Sequence, residues 1–186
     1  MTYVKVSIPK ASDGAGASTI KDATVILICV DDVDSEPARS YGDTVVTGDI
    51  TLKKDAAAIG IYATPSSISL VRESNGEADA RSLVKGVEFD HPGDSDAIES
   101  FIEANLNKGF IALVKECDGS ASGRVRMVGS KCNPLALAPE YTNSNEATRN
   151  HVVLRQEQGD KFAIATYSGA MPALAAESGS SVEGGA

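Results

Sequence analysis

The residues with chemical potential in this sequence are few, and most stand in one acidic turn and one histidine loop. Asp31-Asp32-Val33-Asp34-Ser35-Glu36 places four carboxylates within six residues, the hard oxygen ligands a divalent cation takes. The run lacks the glycine and the distal bidentate glutamate of an EF-hand loop, so the plainer reading is a solvated turn. His91 lies beside Asp90, Asp94 and Asp96, the residue types of a general acid–base pair. In the loop His91-Pro92-Gly93 those aspartates also serve as caps for a following helix, and that reading is preferred. His151 falls on the strand face opposite Val152 and Leu154, a solvent or interface position. Cys29, Cys117 and Cys132 form neither a CxxC nor an even framework and read as reduced thiols. Neither Cys117 nor Cys132 has a histidine nearby in sequence to activate it. The segment Gly119-Ser120-Ala121-Ser122-Gly123 is a flexible turn rather than a nucleophile elbow, and no glycine-rich stretch carries the Lys-Ser/Thr of a P-loop. The sequence assigns no catalytic residue, no cofactor and no metal.

Bulk properties narrow the class. A chain of 186 residues makes one domain, with or without arms. Aromatic residues are only 5% and tryptophan is absent, so the core is aliphatic and thin and suits a sheet protein that also leans on neighbours. A net charge of −9 repels nucleic acid and anionic membranes, which argues against a tight DNA binder. The longest apolar run, residues 25–30, is far too short to span a bilayer as a helix.

Stepping from residues to elements, one helix is expected at about residues 95–108. Ile98, Phe101, Ile102 and Leu106 recur at helical spacing. Phe101 and Ile102 should face a sheet, with Glu99 and Glu103 outward. Lys108 and Gly109 should end the helix. Phe110-Ile111-Ala112-Leu113-Val114 follows, apolar on both faces, as a central strand. Further strands are read at residues 3–8, 24–30, 67–71, 83–89 and 124–128, with Asn75-Gly76 able to turn a hairpin. Residues 44–54 read as one long strand bulged at Gly48. Residues 140–146 read as a polar loop, and residues 152–156 and 162–167 as a closing hairpin. Residues 10–22 and 170–186 are rich in Gly, Ser and Ala and are expected to order only against neighbours. The fold class is therefore mainly β: an antiparallel sandwich or barrel with one flanking helix and extended arms, residues 1–168 forming the domain and 169–186 an arm.

The order of the second half carries a resemblance. Helix, strand, strand, the segment Asn133-Pro134-Leu135, a polar loop ending in Asn145-Glu146-Ala147-Thr148-Arg149-Asn150, and the last strands follow one another. Over about residues 85–170 this resembles the major tail tube proteins of tailed bacteriophages, in particular those infecting Bacteroidetes. The fold is shared with the inner tubes of contractile injection and type VI secretion systems. The resemblance implies a virion protein of the tail, assembled in the host cytoplasm into rings, usually hexamers. Rings stack into a tube, meet other tail proteins and conduct the genome without binding it specifically. It implies no enzyme activity and no membrane partner. The charge agrees: an acidic wall repels the polyanion it conducts.

From the alternation of strand side chains, Asp49, Glu73 and Glu157 are the candidates for the lumen. That expectation requires Lys53, Arg72, Arg126 and Arg155, on the same strands, to face elsewhere or be outnumbered. Thr44, Ile50, Leu52 and Lys54 are the candidates for contacts between subunits. The alternatives are a capsid decoration or head–tail joining protein and, in a different class, a small ligand-binding or enzymatic β-domain using His91 or the cysteines.

Overall fold

The computed structural model describes residues 6–9, 16–117 and 123–176. Among them are twelve strands: β1 (Ile20–Cys29), β2 (Val33–Ser35), β3 (Val45–Val46), β4 (Thr51–Leu52), β5 (Ile59–Tyr62), β6 (Ser69–Asn75), β7 (Ser82–Pro92), β8 (Gly109–Cys117), β9 (Arg124–Val128), β10 (Leu135–Asn143), β11 (Thr148–Gln156) and β12 (Ala165–Tyr167). One α-helix, α1 (Asp96–Asn105), joins β7 to β8. The protein is mainly β with one helix, as its sequence leads one to expect.

β8 is the centre because it is apolar on both faces. Phe110, Ala112 and Val114 point into one core, Ile111 and Leu113 into a second. One edge of β8 pairs antiparallel with β1, from Ile20 opposite Cys117 to Cys29 opposite Phe110. The other edge is shared: β9 takes residues 112–116, and β10 takes Gly109 and Phe110. Gly129 makes the exchange possible. Its φ is 87°, and a Cβ there would stand 2.9 Å from the Phe110 carbonyl oxygen.

From β8 the sheet forks. One branch runs β10–β11–β7–β6, the other β9–β12–β3, and β5 extends β1, giving ten strands in one sheet. All of these pairings are antiparallel except β3 with β12. The first core lies between β5–β1–β8 and the β10–β11–β7–β6 branch, around Leu27, Val87, Phe89, Phe110, Leu135 and Leu154. α1 lies along it, with Ile98 buried and the Phe101 ring centroid 6.2 Å from that of Phe110. The second core covers the opposite face of β8, where Val33, Val46, Ile50 and Ala58 pack on Ile28, Ile111, Leu113 and Tyr167.

Several expectations from the sequence need correction. Residues 44–54 are not one strand: Gly48, at φ 107°, breaks them into the two-residue strands β3 and β4. Ile50 is 5% exposed and its N–H donates to the Tyr167 hydroxyl at 3.0 Å, so it serves the core of its own chain. Residues 140–143 are strand, paired with β11. β11 and β12 form no hairpin; β11 lies between β10 and β7, and β12 between β9 and β3. Residues 6–9 carry no strand, and residues 3–5 lie outside the described residues. The arms are partly integrated. Residues 20–22 belong to β1, and Leu174 bridges Ala58, with Ala58 N–H donating to Ala173 O at 2.9 Å and Ala175 N–H to Ala58 O at 2.8 Å. Residues 10–15 and 177–186 lie outside the described residues.

Candidate assembly surface

The fold scatters the chemistry that the sequence brings together. The acidic turn is spoken for by lysines. Asp31 meets Lys108 Nζ at 2.7 Å, which holds its carboxyl below the usual range, and its carbonyl accepts from Lys53 Nζ at 2.6 Å. Glu36 accepts from the Lys131 N–H at 2.9 Å, while Lys131 Nζ donates to the Val33 carbonyl at 2.8 Å. Among the described residues no group of three or more His, Cys, Asp or Glu side chains is placed to hold a metal ion.

His91 and Asp90 are strand neighbours and point apart. His91 Nδ1 lies 2.8 Å from the Tyr62 carbonyl. Asp90 instead lies 2.7 Å from His151 Nδ1 and 3.0 Å from Arg149, across the β7–β11 ladder. Asp94 accepts from the Tyr141 hydroxyl at 3.0 Å. Ser95 is the N-cap of α1, with no side-chain cap bond; Asp96 and Glu99 sit in the first turn. The three cysteines are free thiols, Cys29 half-buried and Cys117 and Cys132 exposed.

One polar cluster is buried, and the sequence reading missed it. Lys85, 4% exposed, donates to both Asp160 oxygens at 2.6 and 2.8 Å and to the Phe162 carbonyl at 2.9 Å. That uses every ammonium proton. Asp160 also accepts from Phe162 N–H at 2.8 Å, Asn133 Nδ2 at 3.1 Å and Gln156 Nε2 at 3.3 Å. Burial pushes the Asp160 carboxyl up, but the donors outweigh it and hold it below the usual range. Arg39 stacks 5.1 Å over the Phe162 ring and donates to the carbonyls of Ala163 and Asp43. A cavity of about 310 Å³ beside this cluster therefore meets a Lys85 with no donor to spare, and the cluster is a clasp between β7, β11 and the 158–163 segment. The signal for it was a lone lysine inside the apolar run Leu83-Val84-Lys85-Gly86-Val87.

The lumen and contact candidates divide in the same way. Glu73 is paired with Arg155. Asp49 accepts from the Ala170 N–H at 2.7 Å. Glu157 is exposed. Of the contact candidates, Thr44 and Lys54 are exposed, Leu52 is half-buried against the second core, and Ile50 is buried.

What the described residues leave open is backbone edge and apolar side chain. β6 pairs with β7 along all seven residues, and among the described residues no strand takes its other edge. Facing it across a gap of about 550 Å³ are Lys21, Glu116, Arg126 and Ile164, so the sheet does not close on itself. Val6, Ile8, Ile20, Tyr62 and Tyr141 are each more than half exposed. Comparison with family models, with curated proteins and with solved structures gave no match.

Proposed function

We propose that the protein is a self-assembling structural subunit whose rings stack into a virion tail tube. The observation that carries this reading is the free edge of β6. A seven-residue strand with one uncovered edge is a liability in a monomer and a means of growth in a polymer. Its flanks support the reading: large apolar side chains stand in solvent at several places, as expected of surface that a neighbour covers. The described residues present clasps and ion pairs, not a convergent catalytic constellation. The net charge of −9 per copy suits a conduit for a polyanion, and the tail tube resemblance of residues 85–170 supplies the specific assembly.

Size-exclusion chromatography with light scattering, followed by negative-stain microscopy, tests the reading. Rings and stacked tubes are expected. A monomer at every concentration overturns self-assembly, and a ring with a bore too narrow for duplex DNA overturns the conduit.

A further inference from the structure

β5 has a second open edge, and it borders a groove. Strand register fixes which of its backbone groups point outward. Ala63 N–H donates to Ala23 O, so residues 59, 61 and 63 bond inward to β1 while 58, 60 and 62 face away. Ala58 spends its outward groups on residues 173 and 175, and the Tyr62 carbonyl meets His91. Gly60 is exposed, and among the described residues its outward N–H and C=O have no backbone partner. Among the described residues no further bond of this segment to β5 follows those of Ala58. Beside this gap runs a groove of about 620 Å³ between β5 and α1, lined by Ile59, Tyr62, Phe101 and Leu174. Tyr62 and Leu174 are 53% and 48% exposed there.

The occupant that matches this groove stands at the N-terminus. Val4, Val6 and Ile8 alternate with Lys5 and Ser7, the period of a strand with one apolar face. Yet Val6 is 70% and Ile8 91% exposed, so the chain does not bury these two side chains itself. Pro9 ends the pattern, and residues 10–19 link it to β1. Ten residues extended at up to about 3.4 Å each span roughly 34 Å, enough to reach an adjacent molecule.

We propose that the N-terminal segment around Val6–Ile8 of one copy adds as a strand to the outer edge of β5 in a second copy, with Val6 and Ile8 in the β5–α1 groove. Main-chain bonds to Gly60 supply affinity, and the alternate apolar side chains supply register. The inference rests on self-assembly but not on a tube, so it can stand if the conduit reading falls.

The test uses full-length protein and a labelled peptide of residues 2–9. The arm variant Val6→Asp/Ile8→Asp, checked by circular dichroism and melting to be folded, should be monomeric and should bind the peptide saturably. A scrambled peptide should not bind. Gly60→Pro, which removes the outward donor, should weaken peptide binding about tenfold or more. Should Gly60→Pro fail to fold, Leu174→Asp on the exposed groove wall serves instead. Mixing the arm variant with a groove variant, each monomeric alone, should restore association, because the second donates its intact arm to the first. Absence of saturable peptide binding overturns the proposal. So does peptide binding by the arm variant while the unsubstituted protein stays monomeric, which would mean that each arm caps its own groove.

Discussion

Asp160 is a carboxylate whose ionisation bears directly on the fold, because it closes the clasp with Lys85. Its carboxyl is held below the usual range against the push of burial, chiefly by Lys85 and by the Phe162 N–H. A carboxyl depressed in the folded state contributes stability above its unfolded value, about 3.9, and loses it as pH falls through the folded value. Melting curves of the parent and Asp160→Asn should therefore differ at pH 7, begin to approach one another as pH falls below about 4, and converge once pH is below the lowered folded value. A difference that does not shrink at all between pH 7 and pH 2 would show that the loss is packing rather than charge. Lys85→Met should cost about 3 kcal/mol, because it strands a carboxylate that is only 22% exposed. Arg155→Ala, which breaks an ion pair whose side chains are about half exposed, should cost about 0–1 kcal/mol. Denaturant melts of both variants test this ordering. Sequence spacing hides such pairs: Lys85 and Asp160 are 75 positions apart, and Asp90 meets His151 across 61. The residue types announced a partner, and only the strand register supplied it.

At the scale of elements, burial ranks the contacts of α1. Ile98 is its one buried residue, while Phe101 and Ile102 are half-buried and Leu106, past the helix end, is 48% exposed. Ile98→Ala should therefore cost about 3 kcal/mol and Phe101→Ala about 2, below the 3–5 of a fully buried phenylalanine. Gly129→Ala meets both a positive φ and the Phe110 carbonyl, and should cost about 2–3 kcal/mol; a melt within a degree of the parent would refute that handover between β9 and β10. A proline at Ile50 should destabilise the fold, since the amide bonds Tyr167 and the side chain fills the second core. Strong periodicity made α1, β1 and β8 legible. Residues 44–54 misled because their paired positions belong to two separate short ladders, β3 with β12 and β4 with β2, and Gly48 at positive φ breaks the strand between them. β10 misled because Glu140-Tyr141-Thr142-Asn143 is polar, and its strand conformation comes from pairing with β11.

At the scale of the whole molecule, charge bears on the proposed self-assembly. Each copy carries −9, so on that reading association works against repulsion, and screening should favour it: the Debye length falls from about 30 Å at 0.01 M salt to about 8 Å at 0.15 M. Light scattering should rise over that range; a fall would mean that ion pairs between copies dominate. The same field bears on passage of a genome. Of the three carboxylates expected at a lumen, Glu73 is neutralised by Arg155 and Asp49 is occupied by the Ala170 amide. Asp49 keeps its charge, since a neutral amide does not cancel it, and Glu157, exposed just past β11, has neither a hydrogen bond nor an ion pair among the described residues. On the tube reading, Glu157→Lys exchanges a ring of negative charge for a ring of positive charge. Each lysine at the bore adds a phosphate contact and releases counterions, with affinity changing as roughly the −0.9 power of salt per contact. Rings and tubes should form as before, because among the described residues the side chain is exposed and forms no hydrogen bond or ion pair. DNA release through the variant tube should slow at low salt and recover as salt is raised. Release at the parent rate at every salt concentration would remove Glu157 from the bore.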